Sequence, residues 1–309
     1  MDHDSVISGM AALVGPPNAG KSTLLNTLLG QKISIVTPKP QTTRNRIAGV
    51  LNEKEYQIVL LDTPGLHRSR SPLNAEMVRI ALESLVDVDV VVFMIDVSLP
   101  LPEKVKKKKT EEYRSYFATI CCPAILLLNK IDLIDREQLL PLIDAYADLF
   151  PFKAIIPVSA LRGDGTTFLI ENLLSFMPIG PRYFPEDIPT DASERFLTAE
   201  IIREKLFLQT GQEIPYGSAV MVDSFKQDPI TMKVTIHATI YLERKSQKGI
   251  VIGRGGSKLR SIGIEARKDI EELLMTKADL RLWVKIKKNW TKNDKFLQEL
   301  GLQGASSRR

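Results

Sequence analysis

Gly15-Pro-Pro-Asn-Ala-Gly20-Lys21-Ser22 decides the fold of the first half of the chain. It has the spacing GxxxxGK[ST], follows the apolar run Met10–Val14, and opens an amphipathic stretch, Lys21–Leu29, that reads as a helix. The spacing has a mechanical reason. Glycines let backbone N–H groups curl around a phosphate, and the N-terminus of the following helix adds partial positive charge. Lys21 is placed to reach the outer phosphates and the Ser22 hydroxyl to ligate Mg²⁺.

Working outward, short β-rich runs alternate with longer amphipathic ones. The expected strands are Met10–Val14, Gln57–Leu61, Val88–Asp96, Ala124–Asn129 and Ile155–Val158. Between and after them lie expected helices at Lys21–Leu29, Asn74–Leu85, Thr110–Ala118, Asp135–Ala147 and Thr166–Ser175. Continuous apolar runs such as Val90–Ile95 are what strands covered on both faces look like, so the first half is expected to be α/β with a mostly parallel sheet. Four prolines, Pro178, Pro181, Pro185 and Pro189, then mark a linker, and the chain divides into expected domains at 1–180 and 193–309 joined by 181–192.

Composition narrows the class further. The 309 residues carry a net charge of +5, distributed as −1 over residues 1–181 and +6 over 182–309. Between Arg244 and Lys295 the excess reaches +9, the footprint of nucleic-acid or anionic-membrane contact. Two adjacent cysteines, Cys121 and Cys122, make no disulfide framework, no apolar run approaches the roughly 20 residues of a membrane helix, and the start does not read as a signal peptide. A cytoplasmic location is expected. His3, His67 and His237 are too scattered for a metal site; Lys106–Lys109 reads as a solvated loop, and Trp283, alternating with apolar neighbours, as core.

Three further short motifs close successive strands. Asp62-Thr-Pro-Gly65 offers a carboxylate for hydrated Mg²⁺ and a glycine N–H for a terminal phosphate. Asn129-Lys130-Ile131-Asp132 offers a carboxylate that can accept two hydrogens from the guanine edge, which adenine does not present, with the Lys130 stem along the ring. Ser159-Ala160-Leu161 adds a backbone N–H for the guanine oxygen. With these in order, residues 10–177 resemble a translational-type, Ras-like GTPase domain. Gln41-Thr42-Thr43-Arg44, Asp62-Thr-Pro-Gly-Leu66 and the Pro-Asn-Ala of the phosphate loop narrow the resemblance to the Era branch.

The resemblance implies GTP/GDP and Mg²⁺ as ligands. The implied nucleotide contacts are Gly15, Asn18, Ala19, Gly20, Lys21, Ser22, Thr23, Asp62, Gly65, Asn129, Lys130, Asp132, Ser159, Ala160 and Leu161. The implied Mg²⁺ ligands are Ser22, Asp62 and Thr43, with Thr42 as the alternative; Lys21, Thr43, Gly65 and Asn18 carry the catalytic roles. Leu66 stands where Ras-type enzymes keep a water-orienting Gln, so hydrolysis is expected to be slow without an activator. Related GTPases use an Asn at the position of Asn18 to help hold K⁺ beside the phosphates, and K⁺ is accordingly a further implied ion.

In the second half, Gly253-Arg-Gly-Gly256 forms a GxxG loop inside an α-β-β-α-α-β pattern: Ser193–Gln209, Ala219–Phe225, Thr231–Leu242, a short helix-like piece, Lys258–Met275 and Leu280–Ile286. This order resembles the α+β type II KH domain. Its expected RNA contacts are Lys248, Gly249, Ile250, Ile252, Gly253, Arg254, Gly255, Gly256, Lys258 and Arg260. A GTPase domain followed by a KH domain looks like the Era family along essentially the whole chain. That resemblance implies a monomeric ribosome assembly factor that binds 16S rRNA of the small subunit near its 3′ end, with peripheral contact to the cell membrane's inner face as a further partner. The competing expectation is an RNA-binding scaffold whose nucleotide domain barely turns over.

Overall fold

The structure is a computed structural model and describes residues 5–67, 71–99, 113, 116–211 and 213–302. Among these, the chain forms two compact units. One comprises 5–33, 43–67 and 77–191; the other comprises 34–42, 71–76 and 192–302.

The first unit is built on a sheet of β1 (Val6–Val14), β2 (Ile47–Asn52), β3 (Tyr56–Asp62), β4 (Val90–Asp96), β5 (Ala124–Asn129), β6 (Ala154–Val158) and the two-residue β7 (Ile179–Gly180). The order is β2-β3-β1-β4-β5-β6, with β7 on β1; every pair is parallel except β2–β3 and β1–β7. Helices α1 (Lys21–Leu29), α2 (Pro72–Glu83), α3 (Leu139–Ala147) and α4 (Thr166–Leu174) follow in chain order. Residues 72–76 at the start of α2 group with the second unit.

Strand alternation sorts the core into two faces. Leu13, Val92, Met94 and Leu127 join Leu24 and Leu25 of α1 on one side, while Val14, Val91, Phe93 and Leu128 pack with Phe117 and Tyr146 on the other. Phe93 meets Tyr113 and Phe117 edge to face. The expected helix at Thr110–Ala118 lies largely outside the described residues, and Lys106–Lys109 lies wholly outside them.

Two boundaries move for identifiable reasons. Helix α3 starts at Leu139 rather than Asp135, because Pro141 fits only a first turn, where its missing N–H has no partner to lose. Strand β2 was not expected at all. Its Gly49 leaves room for α1: a Cβ there would lie 2.6 Å from the Leu25 and Leu29 methyls. The Pro-containing stretch is bonded to the first unit. The Gln57 side chain accepts from Tyr183 N and Phe184 N (2.6 and 3.0 Å), and Val50 N donates to Pro189 O.

The second unit contains α5 (Glu194–Gln209), α6 (Glu213–Tyr216), β8 (Ser218–Gln227), β9 (Val234–Leu242), α7 (Lys245–Ile252), α8 (Ser257–Leu273), β10 (Ala278–Ile286) and α9 (Asp294–Glu299). The sheet order is β10-β9-β8, with β9–β10 parallel and β8–β9 antiparallel. Ser193 caps α5 by accepting from Phe196 N. Strand β9 begins at Val234 rather than Thr231, since the Asp228 carboxylate accepts from Ile230 N and Thr231 N and holds those residues in a turn. The core joins Ile202, Leu206, Ile236, Ile240, Ile262 and Ile270.

Candidate functional site

Parallel register brings the motif residues to one edge of the first sheet. Leu13 lies beside Asp62, Asp96 beside Asn129, and Asn129 beside Val158, all at carboxyl ends of strands, while Val14, the last residue of β1, lies beside Phe93 of β4. In open α/β sheets that edge is where ligands bind.

The phosphate loop is shaped by Gly15, at φ 147°, where a Cβ would sit 2.2 Å from Met94 O. Gly65 abuts the same loop, its would-be Cβ 2.7 Å from the Pro17 backbone, and Leu66 N donates to Gly15 O at 2.9 Å. Helix α1 starts after Gly20 without a side-chain cap, leaving its first amides for an anion. Lys21 is 6% exposed and donates from Nζ to Gly15 O (3.1 Å) and Pro16 O (3.0 Å). Burial pulls its pKa down to about 8, against the opposing attraction of Asp62. Asn18 is exposed at the loop with φ 62°, Ala19 is buried, and Thr23 is half-buried in the first turn of α1.

Three oxygens converge behind Lys21. Ser22 Oγ donates to Asp62 Oδ2 at 2.6 Å and lies 2.9 Å from Thr43 Oγ1. A buried carboxylate with two hydroxyls is a hard oxygen donor set, and it fits Mg²⁺. Thr42 is engaged elsewhere: its hydroxyl donates to Lys39 O and meets Thr37 Oγ1, both at 2.6 Å. Leu66 is buried in the core cluster, and His67 places Nδ1 2.6 Å from Gly65 O.

Asn129 assembles the residues expected to read the base. Its Nδ2 donates to Ala19 O (2.7 Å) and its Oδ1 accepts from Ala160 N (2.9 Å), tying β5 to both flanking loops. Asp132 accepts from Ser159 Oγ at 2.7 Å, and Lys130, at φ 71°, pairs with Asp96. Leu161 is exposed. The nucleotide motifs named from sequence are thus brought to one place within one unit.

In the second unit the GxxG loop joins α7 to α8. Lys248, Gly249, Ile250, Arg254, Gly255 and Arg260 are exposed, while Ile252, Gly253, Gly256 and Lys258 are half-buried. A groove of about 370 Å³ opens beside the loop. Its helical wall is Gly256, Leu259, Arg260, Gly263, Ile264 and Arg267, and its strand wall is Leu280 and Leu282. Of the expected contacts, only Gly256 and Arg260 line it; Lys248, Ile250 and Ile252 do not. The helical wall was legible in principle, since 256, 260, 263 and 267 recur at the spacing of one helix face.

Residues 34–42 carried no sequence signal for where they lie. Val36 N donates to Glu204 Oε1 at 3.0 Å, and Lys39 Nζ donates to the carbonyls of Phe207 and Thr210 and, at 3.4 Å, of Gly211. A cation on the last carbonyls of α5 caps that helix.

Comparison with known proteins agrees with both halves. The family described as "50S ribosome-binding GTPase" matches residues 10–130, and the KH domain family matches 213–291. The chain is 48% identical over 301 residues to GTPase Era of Syntrophus aciditrophicus (strain SB), covering 95% of this chain and 94% of that one. Against GTPase Era of Geotalea uraniireducens (strain Rf4) it is 49% identical over 298 residues, covering 96% and 98%. The crystal structure of Era in complex with MgGDPNP and nucleotides 1506-1542 of 16S ribosomal RNA superposes with a TM-score of 0.91 at 38% identity, over 97% of this chain and 100% of that one. A point variant of Aquifex aeolicus Era bound to GDP and AlF4− gives 0.90 at 38% identity over the same shares. Two motif sets in order, a matching architecture and near-full-length identity have one reading: the chain belongs to the Era family of GTPases.

Proposed function

We propose that this chain is a GTP-hydrolysing switch that binds 16S rRNA near its 3′ end and assists maturation of the small ribosomal subunit. The observation that carries the nucleotide half is the meeting of Ser22, Thr43 and Asp62 beside buried Lys21. The RNA half is supported by the basic groove beside the GxxG loop, and by the relative crystallised with a 16S rRNA segment.

Mg²⁺ held by Ser22, Thr43 and Asp62 would neutralise charge on the outer phosphates. Around it the chain's own groups act. Lys21 supplies a cation whose partial desolvation strengthens its attraction to phosphate. Gly65 brings a backbone N–H to the loop that Gly15 and Pro17 shape; Asn129 ties down the Ala160 loop and Ser159 holds Asp132, whose carboxylate would accept from the guanine edge. Asn18, exposed at the loop, is the residue we assign to K⁺, which would take the place of an arginine finger.

Leu66 is buried and apolar, so orientation of the attacking water falls to something other than a side chain at that position. Steady-state GTP hydrolysis, measured with and without an RNA carrying the 16S 3′ end and in K⁺ against Na⁺ buffer, tests this. Stimulation by RNA and by K⁺ is expected; turnover indifferent to both would leave a nucleotide-regulated RNA scaffold. RNA affinity should also differ between the GTP-analogue and GDP forms, and equality would remove the switch.

The proposal extends to a cytoplasmic monomer with peripheral membrane contact. Among the described residues no helix is long and apolar enough to cross a membrane. Co-flotation with anionic vesicles, lost at high salt, is the expected result; no co-flotation would remove the membrane partner.

A further inference from the structure

Strand β10 is an edge of the three-stranded sheet, and its two faces differ in chemistry. Alternation sends Leu280, Leu282, Val284 and Ile286 toward the core, with Leu280 and Leu282 reaching the groove. Arg281, Trp283 and Lys285 occupy the opposite face. Trp283, expected in the core, is 43% exposed. The expectation failed because the apolar alternation belongs to its neighbours, one residue out of phase.

The indole is positioned rather than loose. Trp283 lies opposite Thr239 in the register, and the His237 ring meets it edge-on, with centroids 5.1 Å apart at 67°. Arg281 and Lys285 flank it at two residues on either side, roughly 7 Å away along the strand. Among the described residues Arg281 pairs with Asp279, at 3.1 Å and largely in solvent, a weak pairing that leaves its charge available to a polyanion. The other tryptophan is the contrast. Trp290 is fully buried and donates from Nε1 to Gly217 O.

We propose that this outer face is a second nucleic-acid contact, on which an unpaired nucleotide of a strand leaving the groove around the β10 edge stacks on Trp283, its flanking phosphates meeting Arg281 and Lys285. The proposal rests on RNA occupying the groove. A GxxG loop clamps about four nucleotides, so a longer strand must continue across neighbouring surface, and β10 is shared by the groove and by this face. Aromatic stacking accepts any base, and cations spaced along a strand track a backbone. A lone aromatic between two cations offers little continuous apolar area to a protein partner, and the local excess of positive charge favours a polyanion.

The test uses the full chain, an unstructured 20-nucleotide oligoribonucleotide and a 5-nucleotide one. Because Trp290 is buried, quenching of tryptophan emission reports on Trp283. The 20-mer should quench saturably in the wild type and not in Trp283→Phe. Trp283→Ala should weaken 20-mer binding by about 5- to 100-fold and leave the 5-mer unchanged. Arg281→Gln with Lys285→Gln, two exposed changes, should flatten the logarithmic salt dependence of 20-mer binding by about 1.4, for two phosphate contacts. Saturation by anisotropy without quenching, or unchanged 20-mer affinity and salt slope in every variant, overturns the proposal and leaves the groove standing. Failure of both oligonucleotides to bind the wild type overturns the groove and this face together.

Discussion

Nucleotide affinity should fall about tenfold between pH 7 and pH 9, and Lys21 is the reason. In the ligand-free chain its pKa is about 8, because burial outweighs the attraction of Asp62. A polyphosphate placed against Nζ restores the preference for the ammonium and raises that pKa. Binding therefore takes up a proton wherever the empty site is deprotonated. Below pH 8 Lys21 is charged before and after, and affinity is at its full value; above it affinity declines by about 1.36 kcal/mol per pH unit. Roughly nine-tenths of Lys21 is protonated at pH 7 and about one-tenth at pH 9, which gives the tenfold. At pH 8 uptake should be about half a proton per nucleotide. Calorimetry with MgGDPNP at these pH values, in buffers of different ionisation enthalpy, measures both quantities. Lys21→Arg keeps its charge throughout and should remove the slope. The opposite sign holds for stability: the unfolded chain binds this proton up to its ordinary pKa of 10.5, so the ligand-free fold gains stability from Lys21 as pH rises from about 8. Flat affinity from pH 7 to 9 with no proton uptake would refute the desolvation of Lys21.

The other predictions concern single side chains. Gly15→Ala forces a methyl to within 2.2 Å of Met94 O at positive φ; urea denaturation should show a loss of about 2 kcal/mol or more, and nucleotide binding should disappear. Asp132→Asn removes the acceptor for the guanine edge and should weaken GTP about 100-fold or more in competition with ATP; unchanged guanine preference would move base reading elsewhere. Leu66→Gln buries an amide in the apolar cluster instead of supplying a water ligand, so stability should fall by about 1–3 kcal/mol without faster hydrolysis. A stable variant with raised turnover would overturn that.

What could be seen in the sequence was local. Helix α1 and strand β5 occur at the residues expected, because a glycine-rich turn fixes the start of one and a five-residue apolar run closed by Asn129 the extent of the other. Asp62, Asn129 and Ser159 were named from motif order and placement at strand ends, and the sheet register sets Asp62 and Asn129 at the carboxyl ends of β3 and β5, with Ser159 just after β6. Strand β2 escaped notice because Gly49 interrupts its short apolar run, and neither its pairing with β3 nor its close packing under α1 leaves a periodic signal. The groove was half seen. The loop glycines announce it, but most of its lining comes from a helix face and a strand some twenty residues downstream. Nothing near Lys39 in sequence points to carbonyls 168 and 171 residues away, and such partners are invisible to periodicity.

Those distant bonds bear on how the protein can be dissected. A gene fragment starting at Ala192 looks like a complete RNA-binding module, yet it omits residues 34–42, which group with it. Glu204, 3% exposed in the intact chain, would lose the Val36 amide, and the end of α5 would lose its lysine cap. The reciprocal piece would carry residues 34–42 without their carbonyl partners. Affinities measured on excised halves would describe two repaired wounds rather than the two functions of the whole.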